Sequence, residues 1–335
     1  AGSRDDGCFR GNWTPHQFTV YIPERYLPVT CKFPGLALLT AKARMARAID
    51  ILRRMGCTVF VVYAWRPSFY VELTSNVFAL RCFHIDDEYT FEPDDPPITD
   101  TERRMLQASD VVFISSRSLY EKKGSVNPCT FLAPNGVDYE LYASRYPEPP
   151  DLVEIPRPRV GYTGWLKRQL DWELIENLVG RNPQWSFVFV GPARTHLEIR
   201  PALHRLKLRP NVWFLGEKRV DVLAAYPQHF DVCFMPYVEN GYTKYIDPLK
   251  MHENLASGTP VVSTPLPSVR PYDGLIALAE NVEQWEKAIH SCVSSCDPGG
   301  DARAKRQRAA RDRDWSTLVE PIAEVIRTKL EKVRR

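Results

Sequence analysis

The 335-residue chain contains no apolar run near the roughly 18 residues of a membrane span, so no transmembrane helix is expected. It lacks a strong charge imbalance, since 44 Lys and Arg stand against 41 Asp and Glu and leave +3. That balance speaks against a nucleic-acid-binding surface, and no nucleic-acid partner is expected. Metal-ligand spacing is absent too. Of the cysteines at 8, 31, 57, 82, 129, 233, 292 and 296, only Cys292 and Cys296 lie close together, with no second pair or histidine at zinc spacing. No metal site is expected, and His16, His196, His204, His229, His252 and His290 stand singly as structural or surface residues. Cys57, Cys82 and Cys233 fall in or beside apolar strand-like runs, as small buried hydrophobes do. Length and composition suit a reducing cytoplasm better than a disulfide scaffold. No secretory signal is read at the start. The sequence opens on Ala1, which fits a processed, trimmed or divergent front equally, and the sequon Asn12-Trp13-Thr14 is expected to be accidental.

What is present is a chain with 44% hydrophobic residues, enough for a substantial core and most naturally two domains. Residues 302–335 hold eleven Lys or Arg against five Asp or Glu, or +6, which leaves −3 for the remainder. Such a tail suits peripheral contact with anionic lipid or phosphate at the inner membrane face; a solvated surface helix accounts for it equally.

Short β-rich runs alternate with helix-period segments, a pattern of parallel sheets covered by helices on both faces. The first half predicts a helix over 35–55, strands over 58–63 and 79–83, a helix near 101–108, a strand over 110–114, a helix near 116–122 and a strand over 130–133. Residues 1–35 supply no clean opening strand, glycine loop and helix. Between Tyr146 and Arg159 stand five prolines without periodicity, which reads as a linker. The domains expected are 1–146, a linker 147–159, a second domain 160–314 and a terminal helix 315–335. Two Rossmann-like halves with a last helix long enough to cross back form a doubly wound α/β plan.

Candidate site residues cluster at strand ends. From Tyr245 through Asp247 to Ser263 the sequence predicts a helix from Leu249, closed by Gly258, then a buried strand at Val261–Val262. Lys250 in the first turns adds a full charge where a helix N-terminus already attracts anions such as a diphosphate. Glu253, one turn on, would accept hydrogen bonds from a ribose diol. An ordinary amphipathic helix with solvated Lys and Glu explains these residues about as well.

The segment with Glu253, Gly258, Pro260, Val261 and Val262 closely resembles the donor-site signature of family 4 glycosyltransferases of the GT-B fold. A subgroup acting in bacterial surface-polysaccharide assembly is resembled through Gly161, Gly164, Asp171 and Leu174. The resemblance is clear over about 83–315 and implies two Rossmann-like domains facing a cleft and transfer of a sugar, with retention, from a UDP- or GDP-linked donor. The acceptor would be a glycan, a lipid-linked or a small molecule; no metal or other cofactor is implied. Where the family often carries a second glutamate near the sugar, this chain has Tyr245, and Trp165 replaces a loop arginine.

By itself Gly161-Tyr-Thr-Gly164 reads as a loop whose backbone could approach a diphosphate, with Lys167 and Arg168 nearby; exposed loop cations are the plainer reading. By the resemblance, Leu215, Gly216 and Tyr237 line a base pocket. The polar group Phe83-His84-Ile85-Asp86-Asp87-Glu88 follows an apolar strand, so Asp86 first and His84 second are expected as base or cleft residues. A solvated acidic loop explains them equally. Ser115 and Ser116 are expected to help bind acceptor or phosphate. The alternative to a transferase is a non-catalytic nucleotide-sugar or glycan-binding relative, and a GT-B epimerase is disfavoured for want of a suitable constellation.

Overall fold

The computed structural model describes residues 8–13, 16–21, 34–91, 94–193, 197–295 and 300–334. Cys31, Cys296, His196 and Thr14 of the sequon lie outside them. The opening region, expected to supply no clean strand, glycine loop and helix, contributes an antiparallel hairpin of β1 (Cys8–Trp13) and β2 (His16–Tyr21).

The first unit follows with α1 (Pro34–Arg54), β3 (Val61–Ala64), α2 (Tyr70–Leu73), β4 (Leu80–Ile85), α3 (Asp100–Ala108), β5 (Val111–Ile114), α4 (Arg117–Lys123) and β6 (Thr130–Leu132). Its four strands are parallel in the order β3-β4-β5-β6. Alternate residues serve opposite faces. Phe83, Ile85, Val112 and Ile114 pack with Met105, Leu106 and Leu119 on one side, whereas Leu80, Cys82, Val111 and Phe113 meet Ile322, Val325, Ile326 and Leu330 on the other. Those last four belong to α13 (Trp315–Arg334), which crosses back from the chain's end.

The second unit adds α5 (Tyr139–Ala143), α6 (Pro150–Val153), β7 (Arg159–Thr163), α7 (Trp172–Arg181), β8 (Ser186–Val190), α8 (Arg200–Lys207), β9 (Val212–Gly216), α9 (Val220–Leu223), β10 (Val232–Met235), α10 (Leu249–Ser257), β11 (Val261–Ser263), β12 (Ala277–Leu278), α11 (Val282–Ser294) and α12 (Asp301–Arg311). Its six strands are parallel in the order β12-β11-β10-β7-β8-β9. Every residue of β7, β8 and β10 is buried, because helices cover both faces. Asp171 caps α7 by accepting from Leu174 N at 2.9 Å, and Gly258 ends α10 at φ +76°, in the left-handed conformation its position requires.

The expected boundary at residue 146 and the linker 147–159 need correction. Val137, Tyr139, Tyr142, Leu152 and Ile155 all belong to the second hydrophobic core. Arg159 donates to the carbonyls of Ile155 at 2.9 Å and Leu152 at 2.6 Å, fastening the proline-rich stretch down. Proline fixes φ and removes donors, which suits a packed irregular segment as well as an extended spacer. The crossing between units therefore lies near 134–136, and the return path lies beside it: Val137 N donates to Arg313 O at 2.9 Å and Trp315 N to Val137 O at 3.0 Å.

Part of the basic tail is engaged by the fold. Arg306 donates to Gly258 O at 2.9 Å, and the Arg311 guanidinium sits over the Tyr139 ring at 4.9 Å. Among the described residues no helix is long and apolar enough to cross a membrane.

Candidate functional site

Parallel strands of both sheets deliver their carboxyl ends to one cleft, the place where ligands gather in open α/β sheets. Strand β4 runs two residues beyond the sequence expectation, to Ile85, so Asp86 and Asp87 emerge at its tip. From the second unit come the loop after β7, the segment after β10 and the first turn of α10. Together they enclose about 310 Å³ between Asp86, Asp87 and Asn135 on one wall and Trp165, Lys167, Gln169, Tyr237, Tyr242, Asp247, Leu249 and Lys250 on the other.

The first N–H groups of α10 have no intrahelical acceptor, and Lys250 stands among them. Its Nζ lies 2.9 Å from Glu253 Oε2, both side chains being largely buried. Lys250 also packs so closely on the β7 loop that a Cβ on Gly164, at φ +133°, would lie 2.5 Å from its Cε. Glu253 faces a second groove, of about 870 Å³, with Tyr142, Arg219, Val220, Asp221 and Trp315, and Leu249 borders both spaces. The first turn of α10 thus separates an anion-attracting cleft from a groove with a carboxylate in its wall. Asp247 is buried beneath this turn, accepting from Asn135 N at 3.0 Å and lying 3.3 Å from His252 Nε2.

Asp87 is the electrostatically unusual group on the opposite wall. Burial pushes its carboxyl up to about 6; the hydrogen bond from Tyr242 Oη at 3.0 Å works against this, the charge of Asp86 adds to it, and Lys167 and Arg66 lower it. The sequence reading favoured Asp86, which shares the cleft and whose carbonyl accepts from Ser115 Oγ at 2.6 Å. Nothing in the local sequence distinguished the two, because the burial arises only in the folded cleft, where Tyr242, 155 residues away, donates to Asp87. Asn135, Gln169 and Tyr242 were missed for the same reason. Glu88, the third acid of that run, is instead buried in a network with Lys122 and Lys123, each at 2.9 Å.

Several expected site residues lie elsewhere. His84 projects to the α13 side of the first sheet, its Nδ1 2.7 Å from Tyr63 Oη and its ring 6.0 Å from Phe113; burial lowers its pKa, which keeps it neutral. Strand alternation puts its neighbours Phe83 and Ile85 in the core on the other face, and the cleft lies beyond the strand's end. Gly161 is inside β7, not in the loop, and its missing Cβ makes room for the Phe230 ring, which would lie 2.0 Å away. Arg168 is stacked over Phe91 at 3.8 Å and is not among the residues lining the cleft, unlike Lys167. Leu215 packs against the second core and Gly216 ends β9 in open space; the groove begins further on, at Arg219. Tyr237, expected to line a base pocket with Leu215 and Gly216, lies instead in the cleft together with Tyr162 and not in the groove.

Tyr245 departs furthest from expectation. It is 4% exposed and plugs into the first unit's core, donating to Asp95 Oδ2 at 2.6 Å beneath the Lys122 ammonium at 4.5 Å. Ser116 Oγ, which also caps α4, donates to the Tyr245 carbonyl at 2.6 Å. Ser115 and Ser116 therefore hold backbone in place. A strap from the second unit, residues 238–247, is in this way built into the first. It passes so close that a Cβ on Gly241 would meet the Asp94 carbonyl oxygen at 2.0 Å.

Among the described residues no group of three or more His, Cys, Asp or Glu could hold a metal ion. The cleft instead offers a cation at a helix N-terminus facing two carboxylates, an arrangement suited to an anionic leaving group and a hydroxyl that loses its proton.

This pairing of facing α/β units with a helix-terminus anion site is the GT-B architecture. Superposition on known structures agrees. The trehalose-6-phosphate enzyme of E. coli bound with UDP-2-fluoro glucose matches with TM-score 0.69 at 12% identity, over 97% of this chain and 90% of that one. A sucrose-phosphate synthase from Thermosynechococcus elongatus gives 0.66 at 17% identity over 90% and 81%. Anabaena HepE in complex with UDP and glucose gives 0.65 at 16% identity over 86% and 81%. The chain thus has the GT-B fold, and residues 157–295 match the family model described as glycosyl transferases group 1. TuaH of Bacillus subtilis (strain 168), described as a teichuronic acid biosynthesis glycosyltransferase, is 30% identical over 239 residues, 67% of this chain and 58% of that protein. The matched region thus spans less than two thirds of that relative's length.

Proposed function

We propose that this protein is a glycosyltransferase that moves a sugar from a nucleoside diphosphate to an acceptor hydroxyl in bacterial polysaccharide synthesis. The observation that carries the reading is the position of Lys250 at the N-terminus of α10, across the cleft from Asp86 and Asp87. In this reading the diphosphate lies against the first N–H groups of α10, with Lys250 and Lys167 offsetting the charge that develops as the sugar–phosphate bond breaks. The nucleoside extends past Leu249 into the neighbouring groove, where Glu253 accepts from the ribose hydroxyls. Donor binding then shifts Lys250 from Glu253 toward phosphate. The acceptor hydroxyl approaches from the Asp86–Asp87 side. Its oxygen bonds to the anomeric carbon while the proton passes to Asp87 or to a departing phosphate oxygen. Retention in this reading requires the acceptor oxygen to attack on the sugar face that the diphosphate leaves, where a departing phosphate oxygen can take its proton.

The reaction draws on no metal in this reading. The site of action is the cytoplasm, with exposed members of the basic C-terminal segment touching the inner membrane face peripherally. Substitution of Tyr245 for a sugar-side carboxylate favours a second reading, a binder of nucleotide sugars without transfer.

Mass-spectrometric transfer assays with UDP-, GDP-, ADP- and TDP-sugars decide between the two. Donor-dependent glycoside formation is expected for at least one nucleotide. Nucleotide binding without hydrolysis or transfer on any acceptor would leave only the binder, and a product of inverted configuration would remove retention.

A further inference from the structure

The second unit reaches across the cleft to the carboxylate that faces the acceptor. Tyr242 stands on the strap 238–247, lines the cleft, and donates through Oη to Asp87 Oδ2 at 3.0 Å. Its backbone is fastened by the turn around it. Asn240 Oδ1 accepts from Tyr242 N and Thr243 N, each at 2.9 Å, while Asn240 N donates to Thr243 Oγ1 at 3.0 Å. Thr243 is fully buried, and a Cβ on Gly241 would meet the first unit's backbone at Asp94. The Tyr242 ring lies 5.1 Å from Phe91, whose own ring carries the Arg168 guanidinium at 3.8 Å. Backbone and ring contacts therefore aim the hydroxyl, and all of them would survive its removal.

A phenol in this place acts only as a donor. Burial, followed by the charges of Asp87 and Asp86, pushes its pKa well up, so it keeps its proton through neutral pH. Asp87 meets Asp86 and Arg66 from the first unit and Lys167, Tyr237 and Tyr242 from the second. Burial raises its pKa and Asp86 adds to that, whereas Tyr242, Lys167 and Arg66 lower it, the Tyr242 hydrogen bond most of all. Without that bond the carboxyl would hold its proton to higher pH and could not take up another. The bond also engages Oδ2, which leaves Oδ1 for the acceptor hydroxyl.

We propose that Tyr242 is a positioning residue for the transfer reaction, its hydroxyl holding Asp87 as a carboxylate and turning Oδ1 to the acceptor. The proton then passes from the acceptor oxygen to Asp87, and Tyr242 keeps its own. This rests on the transferase reading above, with Asp87 as the group that takes the proton.

The test compares wild type, Tyr242→Phe, Asp87→Asn and the double variant. Carboxyl carbon-13 NMR of aspartate-labelled protein reads the Asp87 titration without substrate, its signal being identified by its loss in Asp87→Asn. Tyr242→Phe should move that titration to higher pH. With the nucleotide sugar and acceptor that give product in the transfer assays above, the acid limb of kcat/KM should move the same way. There kcat should fall on the order of tenfold, with calorimetric affinity for UDP or GDP unchanged. In the Asp87→Asn background the same change should alter kcat by less than about twofold, because its route of action is gone. Incorporation of 3-fluorotyrosine at position 242 keeps ring, strap and hydroxyl but strengthens the donor, so titration and limb should move to lower pH. A titration that stays put in both replacements, or a Tyr242→Phe loss that adds in full to that of Asp87→Asn, overturns the role of Tyr242 and leaves the transferase standing. A wild type that turns over no nucleotide sugar on any acceptor overturns both.

Discussion

The two walls of the cleft are made by different means. On the second unit's side the ligand-facing groups are local: Leu249, Lys250 and Glu253 sit within two turns of one helix, and their mutual placement follows from its 3.6-residue period. On the first unit's side Asp87 owes its altered acidity to burial in the folded cleft, partly offset by the hydrogen bond from Tyr242, 155 residues further along. A wall built from helix geometry tolerates changes in its neighbours. One built from a contact between units does not, so substitutions at the contact should disturb chemistry on the first wall more than nucleotide binding on the second.

The largest expected effect is at Asp87. Asp87→Asn should lower kcat/KM by about a hundredfold to ten thousandfold, the usual range for a group that handles a proton in the transition state. The wild-type pH profile should fall on the acid side with an apparent pKa near 6, and that limb should vanish in the variant. An unaltered limb would remove Asp87 from the chemistry. The same shift carries a stability consequence of definite sign. The folded carboxyl holds its proton to higher pH than the unfolded one, so this group's contribution to stability is fullest below pH about 4 and is lost as pH rises through about 6.

Tyr245→Ala should cost about 3–5 kcal/mol of unfolding free energy, because it empties a buried aromatic site and strands the Asp95 hydrogen bond. Denaturant titration measures this, and a loss below about 1 kcal/mol would show that the strap is not integral to the first core.

Lys250→Ala and Glu253→Ala should each weaken nucleotide binding by about 1–3 kcal/mol in calorimetry. Because the two side chains touch at 2.9 Å, the double variant should lose less than the sum. Strict additivity would mean that they serve unconnected parts of the ligand. The smallest effect is expected at Arg168, where Arg168→Ala removes a cation–aromatic contact worth about 0.5–1 kcal/mol and leaves nucleotide affinity unchanged. A fall in affinity would place Arg168 in the donor site after all.

The parallel α/β plan was legible because β5, β8 and β10 are short apolar runs separated by helix-period segments. Helix α10 was read from Leu249 to its terminating Gly258, where the left-handed turn leaves a clear mark in sequence. Reading failed where neighbours in sequence part company in space. Strand alternation turns His84 toward Tyr63 and Phe113, and Arg168 turns to Phe91 while Lys167 turns to the cleft. Five prolines suggested a linker where the chain is packed, since proline restricts φ without saying what will cover the segment.

Sequence by itself determined the helix-terminus cation, the carboxylate one turn later and the alternation of strands with helices, because each depends on short-range periodicity and capping. Tertiary structure alone decided that burial raises the pKa of Asp87 and that Tyr245 serves the first core. Those outcomes rest on desolvation and on packing between segments more than a hundred residues apart, and such quantities belong to the folded assembly of both units.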